Sequence, residues 1–489
     1  MSRPIQVMKF GGTSVGDATR IRSAATIAAE GSKKYSIVMV VSAMSGVTNT
    51  LIAAAGKSAA GDENAAETLI TTLRTKHREA IDALIHDTEK RRELLTEVEV
   101  LIDRAANYCR GCALLGELSP RALDVIAGSG ERLTARIAAA VLREMGYRGV
   151  AFDATELIVT DDIHGGARPL ADLTRGKTRA ALGPLLETGV IPVVTGYIAA
   201  TAKGVPTTLG RGGSDFSATI LGAALGAQEV IIWTDVNGVL TADPRMVPDA
   251  VTLDEVSYSE AGELAFFGAK VLHPMTLRPV MESGIPVWIR NSFEPHKAGT
   301  KITQTARLTP PHGVKAVTAT RDVALITVAG PGIIGVPDIA ARIFAATASV
   351  RANIVMISQS SSQDSICFVV LVADAVRTEK ALRDALHEDV RHHELEHVTV
   401  NRNVAVVAAV GENMCGTPGI AGRVFSTLGN EGINMIAIAQ GSSEYNISFL
   451  VEAFAMEKAV KALHRAFGLG RVDSPAEVSA GAQVTTKTV

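Results

Sequence analysis

Three glycines and one arginine stand together in Thr207-Thr-Leu-Gly-Arg-Gly-Gly-Ser-Asp-Phe-Ser-Ala218. Glycine has no Cβ, so Gly210, Gly212 and Gly213 can turn through positive φ and bring backbone N–H groups against an anion. Arg211 carries a permanent charge whose parallel N–H groups fork onto a carboxylate or a phosphate. Ser214 or Asp215 can cap a small-residue helix over 217–225, aiming its N-terminus at the same anion. A solvated glycine-rich surface loop is the competing reading, because short matches of this kind arise by chance.

Other stretches offer related chemistry. Lys9 ends an apolar run and is followed by Gly11-Gly12-Thr13-Ser14, a strand-to-glycine-turn layout that sets a compact cation and backbone amides against phosphate. Ser42-Ala-Met-Ser-Gly-Val-Thr-Asn49 is a second hydroxyl-rich turn, and Glu131 falls in or near the first turn of a helix, where the dipole favours a carboxylate. Asp235 could meet a ribose or a metal-bridged phosphate and Arg245 a phosphate, with turn capping as the rival for Asp235 and Asp243. Lys270 lies beside a helical stretch, and His273, before a proline, reads as structural. Gly56-Lys57-Ser58 is no Walker A tail, since position 51 is leucine. Cys109 and Cys112 sit three apart in a helical stretch, with no second pair to complete a zinc site.

These residues need a scaffold. A chain of 489 residues exceeds one hydrophobic core, and 47% hydrophobic with 20% charged residues is a globular composition. A net charge of −3 without a polybasic run argues against nucleic acid or an anionic membrane, and 4% aromatics argues against base stacking. No apolar segment reaches the length of a membrane span and no signal peptide precedes Ile5, so a cytoplasmic location is expected. Strand patterns at 5–10, 36–42, 150–153, 189–195 and 229–235 alternate with helical ones. That alternation predicts an α/β fold with a mostly parallel sheet. From 62 to about 119 the pattern is a charge-rich helical hairpin, and at 291–311 it dissolves into a domain boundary.

An internal repeat follows. An offset of 81 pairs Val323 with Val404, Pro337 with Pro418, Asn353 with Asn434, Gln359 with Gln440 and Phe368 with Phe449, without a gap. Each copy reads strand, helix, strand, strand, helix.

Lys9-Phe-Gly-Gly-Thr-Ser14, Leu209-Gly-Arg-Gly-Gly-Ser-Asp215, Trp233-Thr-Asp235 with Asp243-Pro-Arg245, and Phe267-Gly-Ala-Lys-Val-Leu-His-Pro274 together resemble the aspartokinases of the amino-acid kinase family, over about residues 5–473. The resemblance implies a three-layer αβα sandwich over 1–305. Two α+β, ferredoxin-like ACT domains follow at 314–396 and 397–475, and then a flexible tail at 476–489. Because the second ACT unit is usually inserted within the first, a strand near 468–473 is expected to complete the first. The implied reaction is transfer of the ATP γ-phosphate to the side chain of L-aspartate, with Mg²⁺ and no dedicated protein metal site. By the same resemblance Lys9 touches the transferring phosphoryl group and Arg211 the α-carboxylate. Ser42, Thr48, Glu131, Ser214 and Asp215 complete the substrate pocket, Glu131 pairing the ammonium. Gly11, Gly12, Thr234, Asp235, Leu240, Arg245 and Lys270 line the ATP side. Tyr197, where relatives often carry phenylalanine, and Leu240, where some carry tyrosine, depart from the pattern.

The repeat resembles a pair of effector-binding ACT units, with Gln359, Gln440, Asn353 and Asn434 as effector contacts and pairing into a dimer or larger homo-oligomer. Met356-Ile-Ser-Gln-Ser-Ser-Ser362 and Ile438-Ala-Gln-Gly-Ser-Ser443 look most like the kinase half of bifunctional aspartokinase–homoserine dehydrogenases. The expectation is therefore a monofunctional kinase inhibited by threonine, with lysine as runner-up. Another amino-acid kinase and a non-catalytic amino-acid sensor are the rival readings.

Overall fold

In the computed structural model the described residues are 3–267, 272, 274–306, 313–331, 337–359, 365–393, 395–412, 414, 417–439 and 445–470. They fall into two compact units, 1–239 with 252–308, and 240–251 with 309–489.

The first unit begins with β1 (Ile5–Phe10), α1 (Ala18–Gly31), β2 (Ser36–Val41), α2 (Val47–Ala59), α3 (Glu63–Leu84) and α4 (Thr88–Leu115). It continues with α5 (Pro120–Ala127), α6 (Ser129–Glu144), β3 (Gly149–Phe152), β4 (Val159–Thr160), α7 (Ala171–Glu187), β5 (Ile191–Thr195), β6 (Ile198–Thr201) and β7 (Pro206–Thr208). α8 (Gly213–Leu225), β8 (Glu229–Thr234), β9 (Glu255–Ser257), α9 (Tyr258–Phe266), α10 (Pro274–Met281), β10 (Val287–Asn291) and β11 (Thr300–Thr303) complete it. Among the described residues its main sheet runs β3-β5-β2-β1-β8-β10-β11-β9, parallel in every pair except β10 with β11. β4, β6 and β7 form a small second sheet.

The apolar runs become central strands because both faces are covered. Met8, Phe10, Met39, Val41, Val193 and Trp233 join one core with α1, α2, α3, α4 and α6. Val7, Val38, Val40 and Val230, on the other face, are equally buried. There α8 comes so close that a Cβ on Gly222 would sit 2.6 Å from Val230 Cγ2. This is the expected αβα sandwich. The chain leaves β1 for β2 on one side and later lays β8 on the other, so strand order reverses at β1 and opens a crevice beyond the carboxyl ends. α3 and α4 are the expected hairpin, and Cys109 and Cys112 are buried on α4, where desolvation raises both thiols, Cys109 to about 11. β11 was not foreseen, since it lies within the stretch read as dissolved.

The second unit contains β12 (Val314–Thr320), β13 (Val323–Ala329), α11 (Pro337–Ser349), β14 (Ile354–Gln359), β15 (Ser365–Leu371), α12 (Val372–Ala385), α13 (His387–Arg391) and β16 (His397–Asn401). β17 (Val404–Gly411), α14 (Ile420–Asn430), β18 (Ala437–Ala439), β19 (Asn446–Glu452) and α15 (Met456–Ala466) follow. Two antiparallel sheets result, β14-β15-β13-β16 and β12-β17-β19-β18. The repeat is visible in them, β13 matching β17 and β15 matching β19.

The expected division into 314–396 and 397–475 is corrected by the strand pairing. β12 pairs with β17 of the second copy, while β16 pairs with β13 of the first. The first copy is thus threaded between the opening strand of the second and its remainder, the reverse of the expected insertion, and no described residue of 468–473 pairs with the first copy's sheet. Within that range Gly470 bridges Ala250 instead, and 471–473 lie outside the described residues, as does the tail at 476–489.

The 1–305 boundary also changes, because 240–251 belongs to the second unit. Ala242, Val247 and Ala250 join the core of its β12-β17-β19-β18 sheet, and Thr241 O accepts from Val317 N at 2.8 Å.

Candidate active site

Beyond the carboxyl ends of the central strands lies a cavity of about 330 Å³ in the first unit. Each wall follows from a local feature of the sequence. Lys9, penultimate in β1, is only 7% exposed, and its ammonium is ion-paired with the Asp215 carboxylate. The glycine turn after β1 leaves the lysine its place, since a Cβ on Gly11 would stand 3.3 Å from Lys9 Nζ and push it aside by a few tenths of an ångström. Gly12 in turn abuts the loop after β2, where an added Cβ would meet Ala43 O at 3.1 Å and where Ser45 Oγ donates to Gly12 O at 2.9 Å. Gly12, Ser42, Met44, Ser45, Thr48 and Asn49 line this side. Lys76 of α3 fixes the loop from behind, donating to Ser45 O at 2.6 Å.

The opposite wall is the Gly210–Asp215 loop. Gly210 (φ 75°) and Gly212 (φ 70°) occupy the left-handed region, which explains glycine at both positions. The helix there starts earlier than expected, and neither Ser214 nor Asp215 caps it. Gly212 is the N-cap, without a side-chain cap, and both residues lie in the first turn of α8. Their side chains are thereby freed for the cavity, which both line, and Asp215 for Lys9. Tyr197 completes this wall at φ 66°, a costly conformation for an aromatic residue that the surroundings must hold. Burial pushes its phenol above the ordinary range. Gly196 has no room either, because a Cβ would sit 2.6 Å from Ser214 Cβ and 2.9 Å from its Cα. Gly196→Ala is expected to lower stability by about 1–3 kcal/mol through this overpacking, checked by thermal unfolding.

The floor is Glu131. α6 can approach the β2 loop because its second residue is Gly130, whose Cβ would fall 2.7 Å from that of Ala43. Glu131 is 3% exposed and its Oε2 has no hydrogen-bond partner. Burial pushes its carboxyl up to about 7, opposed by backbone hydrogen bonds at Ala43 and Glu131 and by the charges of Arg132 and Lys9. A buried, unsatisfied acid beside an ion pair is an unfavourable arrangement that a cationic ligand would relieve.

The structure therefore gathers Lys9, Gly12, Ser42, Thr48, Glu131, Ser214 and Asp215 around one cavity. Arg211 does not line it: its side chain is exposed on the rim, between two glycines that do. Thr234 and Asp235 lie at the end of β8 next to the glycine turn, where Gly11 N donates to Trp233 O at 3.1 Å. Leu240 and Arg245 belong to the second unit's 240–251 segment, and Arg245 forks onto Asp243 at 2.5–3.1 Å. Gln359 ends β14, and it, Asn353 and Asn434 are exposed. Lys270, His273 and Gln440 lie outside the described residues. Sequence reading assigned no role to Met44, Ser45 or Asn49, although the hydroxyl-rich turn that carries them was noted, and it treated Tyr197 as a departure only.

The amino acid kinase family matches residues 4–291, and the ACT domain matches 326–386 and 407–467. The chain is 38% identical over 471 residues to bifunctional aspartokinase/homoserine dehydrogenase 2, chloroplastic, of Arabidopsis thaliana, covering 95% of this chain and 51% of that one. It thus spans about half the length of the bifunctional relatives it matches. It is 33% identical over 475 residues to aspartokinase 1, chloroplastic, of the same plant, covering 94% and 80%. Among solved structures, E. coli aspartokinase III in complex with aspartate and ADP superposes with a TM-score of 0.78 at 31% identity, covering 95% of this chain and all of that one. The same enzyme with lysine and aspartate gives 0.75 at 31%, covering 94% and 99%. On these matches the chain belongs to the amino acid kinase family and, within it, to the aspartokinases.

Proposed function

We propose that this chain transfers the γ-phosphate of ATP to the side-chain carboxylate of L-aspartate, giving 4-phospho-L-aspartate and ADP. The observation that carries this reading is Glu131, a buried carboxylate with an unpartnered oxygen in the cavity that also holds the Lys9–Asp215 pair. An α-ammonium set on Glu131 satisfies that oxygen and leaves the acid's other end free to point at Lys9. The crystallised E. coli relative carries aspartate and ADP together.

The chemistry needs no general base, because a side-chain carboxylate of ordinary pKa about 3.9 is ionised near neutrality. One of its oxygens forms the new bond to the γ-phosphorus as the bond to the ADP oxygen breaks. What must be overcome is repulsion between two anions brought into line. Lys9, oriented by Asp215, supplies a fixed positive charge between them, and the N–H groups at the start of α8 face the same space. Arg211, on the rim, is assigned to the α-carboxylate. Gly11, Gly12, Thr234 and Asp235 are assigned to the nucleotide, with Leu240, Arg245 and Lys270 kept as nucleotide contacts by family resemblance alone. Mg²⁺ would enter on the phosphates of ATP and spread their charge, with water as its remaining ligands. Among the described residues no cluster of three or more His, Cys, Asp or Glu could hold it independently.

Regulation by an amino acid through the ACT units belongs to the same reading, with threonine favoured over lysine and Gln359, Gln440, Asn353 and Asn434 as contacts. The first choice rests on the likeness of 356–362 and 438–443 to the kinase half of the bifunctional enzymes, and the lysine-bound E. coli structure supports the second. Assembly of copies through these units is supported by Ile357 (50%) and Ile438 (41%), large apolar residues exposed at equivalent positions of the repeat. The cytoplasm is the proposed location. No helix among the described residues is long and apolar enough to cross a membrane.

Coupled ADP release tests both claims. Turnover that depends on aspartate, and not on glutamate or N-acetylglutamate, is the expected result; ATP turnover indifferent to aspartate would overturn the reading. In the same assay threonine is expected to inhibit more strongly than lysine, and inhibition by lysine alone would reverse the effector assignment.

A further inference from the structure

Asp124, on α5, is 3% exposed and lies outside the set of cavity-lining residues. It nevertheless accepts hydrogen bonds from two separate stretches bordering the cavity. Thr208 Oγ1, at the end of β7, donates to its Oδ1 at 2.5 Å. Gly165 N, in the 161–168 loop, donates to Oδ1 at 3.1 Å and Oδ2 at 3.2 Å, and His164 Nδ1 lies 2.7 Å from Oδ2. A carboxylate taken this far out of water is costly unless its lone pairs are filled, and here both oxygens are.

What those bonds hold is the Arg211 loop. Ala167 N donates to Thr208 O at 2.8 Å, and Leu209 N to Tyr197 O at 2.9 Å. Gly210 rests on the 161–168 loop so closely that a Cβ would meet Gly165 O at 3.2 Å and Gly166 Cα at 3.3 Å. The Tyr197 ring lies against the same loop, since a Cβ on Gly213 would stand 2.7 Å from its Cδ2. Asp124 therefore joins the backbone beneath Gly210 to the end of β7, from which Leu209 reaches the backbone of Tyr197, the aromatic residue held at positive φ in the cavity wall.

We propose that Asp124 is a positioning residue for the amino-acid substrate, fixing Tyr197 and the Gly210–Gly213 loop through Thr208, Gly165 and His164; this rests on the aspartate kinase reading above. Its removal should disturb the amino-acid end of the site and spare the nucleotide end, which is built from β1 and β8.

The test is steady-state kinetics on the full chain with Asp124→Ala, Thr208→Val, His164→Ala and His164→Asn, together with hydrogen–deuterium exchange without ligand. Loss of hydrogen bonds to a charged group is expected to raise the aspartate KM by roughly 10-fold or more in Asp124→Ala. The ATP KM should stay near that of the wild type, and Thr208→Val should show a weaker form of the same split. His164→Asn, whose amide Nδ2 replaces the imidazole Nδ1 as donor, should restore what His164→Ala loses. Exchange should rise in 161–168 and 209–213 and remain unchanged in β1 and β8. Equal rises in both KM values, or faster exchange throughout the unit, would reduce Asp124 to a general stabiliser and overturn the proposal. Absence of aspartate-dependent turnover in the wild type would sink the kinase reading instead, and the ligand-free exchange pattern would still decide whether Asp124 holds the loop.

Discussion

Replacement of Lys9 by alanine is expected to lower kcat on the order of 10³-fold, the scale for loss of a preorganised charge at a developing transition state. Lys9 is nearly buried, paired with Asp215 and flanked by a glycine turn where a Cβ would crowd its ammonium. Truncation also strands the Asp215 carboxylate, at 15% side-chain exposure, so some loss of stability will accompany the loss of turnover. The two effects separate in the pair Lys9→Met with Asp215→Asn, which removes both charges and keeps the volumes. Thermal unfolding of that double variant should return toward the wild type while turnover stays absent. Recovery of kcat together with Tm would show that Lys9 acts on the fold and not on the phosphoryl group.

The second large effect concerns Glu131. Its carboxyl is pushed up to about 7 by burial, against an ordinary value of 4.5. The native state therefore keeps a proton that the unfolded chain has released between those values. Stability falls as pH rises through this window, and the penalty, on the order of 3 kcal/mol, is complete above neutrality. Glu131→Gln removes the titration, so the variant should melt above the wild type at pH 8 and the difference should disappear at and below about pH 4.5. Substrate binding should respond in the opposite direction. A charge-assisted hydrogen bond to the ammonium is worth about 1.5–3 kcal/mol, so the aspartate KM of Glu131→Gln should rise roughly 10- to 100-fold. Wild-type affinity should also weaken as pH drops below 7, and that dependence should be missing from the variant. A variant that is both less stable at pH 8 and unaltered in aspartate KM would remove Glu131 from the site.

Much of this was legible in the sequence, for identifiable reasons. Lys9 and the turn at 42–49 stood out because apolar runs buried on both faces mark parallel strands, and the turns at their carboxyl ends are where ligands collect, whereas Thr48, Glu131, Ser214 and Asp215 were assigned to the pocket by motif resemblance; all of them line the one cavity. What periodicity could not give was contact between distant turns. Asp124 and His164 carry no motif, and their meeting depends on α5 and the 161–168 loop folding against each other. Tyr197 gave no sign of its backbone strain, which a residue type cannot encode. The position of Arg211 on the rim, with its flanking glycines in the wall, is likewise a matter of side-chain direction.

The C-terminal repeat shows the same limit. An offset of 81 finds two copies but cannot say which sheet a strand joins, since both copies present the same alternation to any partner. β12 and β16 lie at the margins of the first copy, and pairing alone assigns them to different sheets. β11 was missed because Pro295, Lys297 and Gly299 precede it, a composition that reads as a linker although Thr300 to Thr303 pair on both sides.

The geometry of substrate binding is most directly settled by a crystal structure with L-aspartate and a non-hydrolysable ATP analogue. The expected result is the ammonium on Glu131 Oε2, with the side-chain carboxylate lying between Lys9 Nζ and the γ-phosphate. An amino acid bound with its ammonium remote from Glu131, or with its side chain turned away from Lys9, would contradict it.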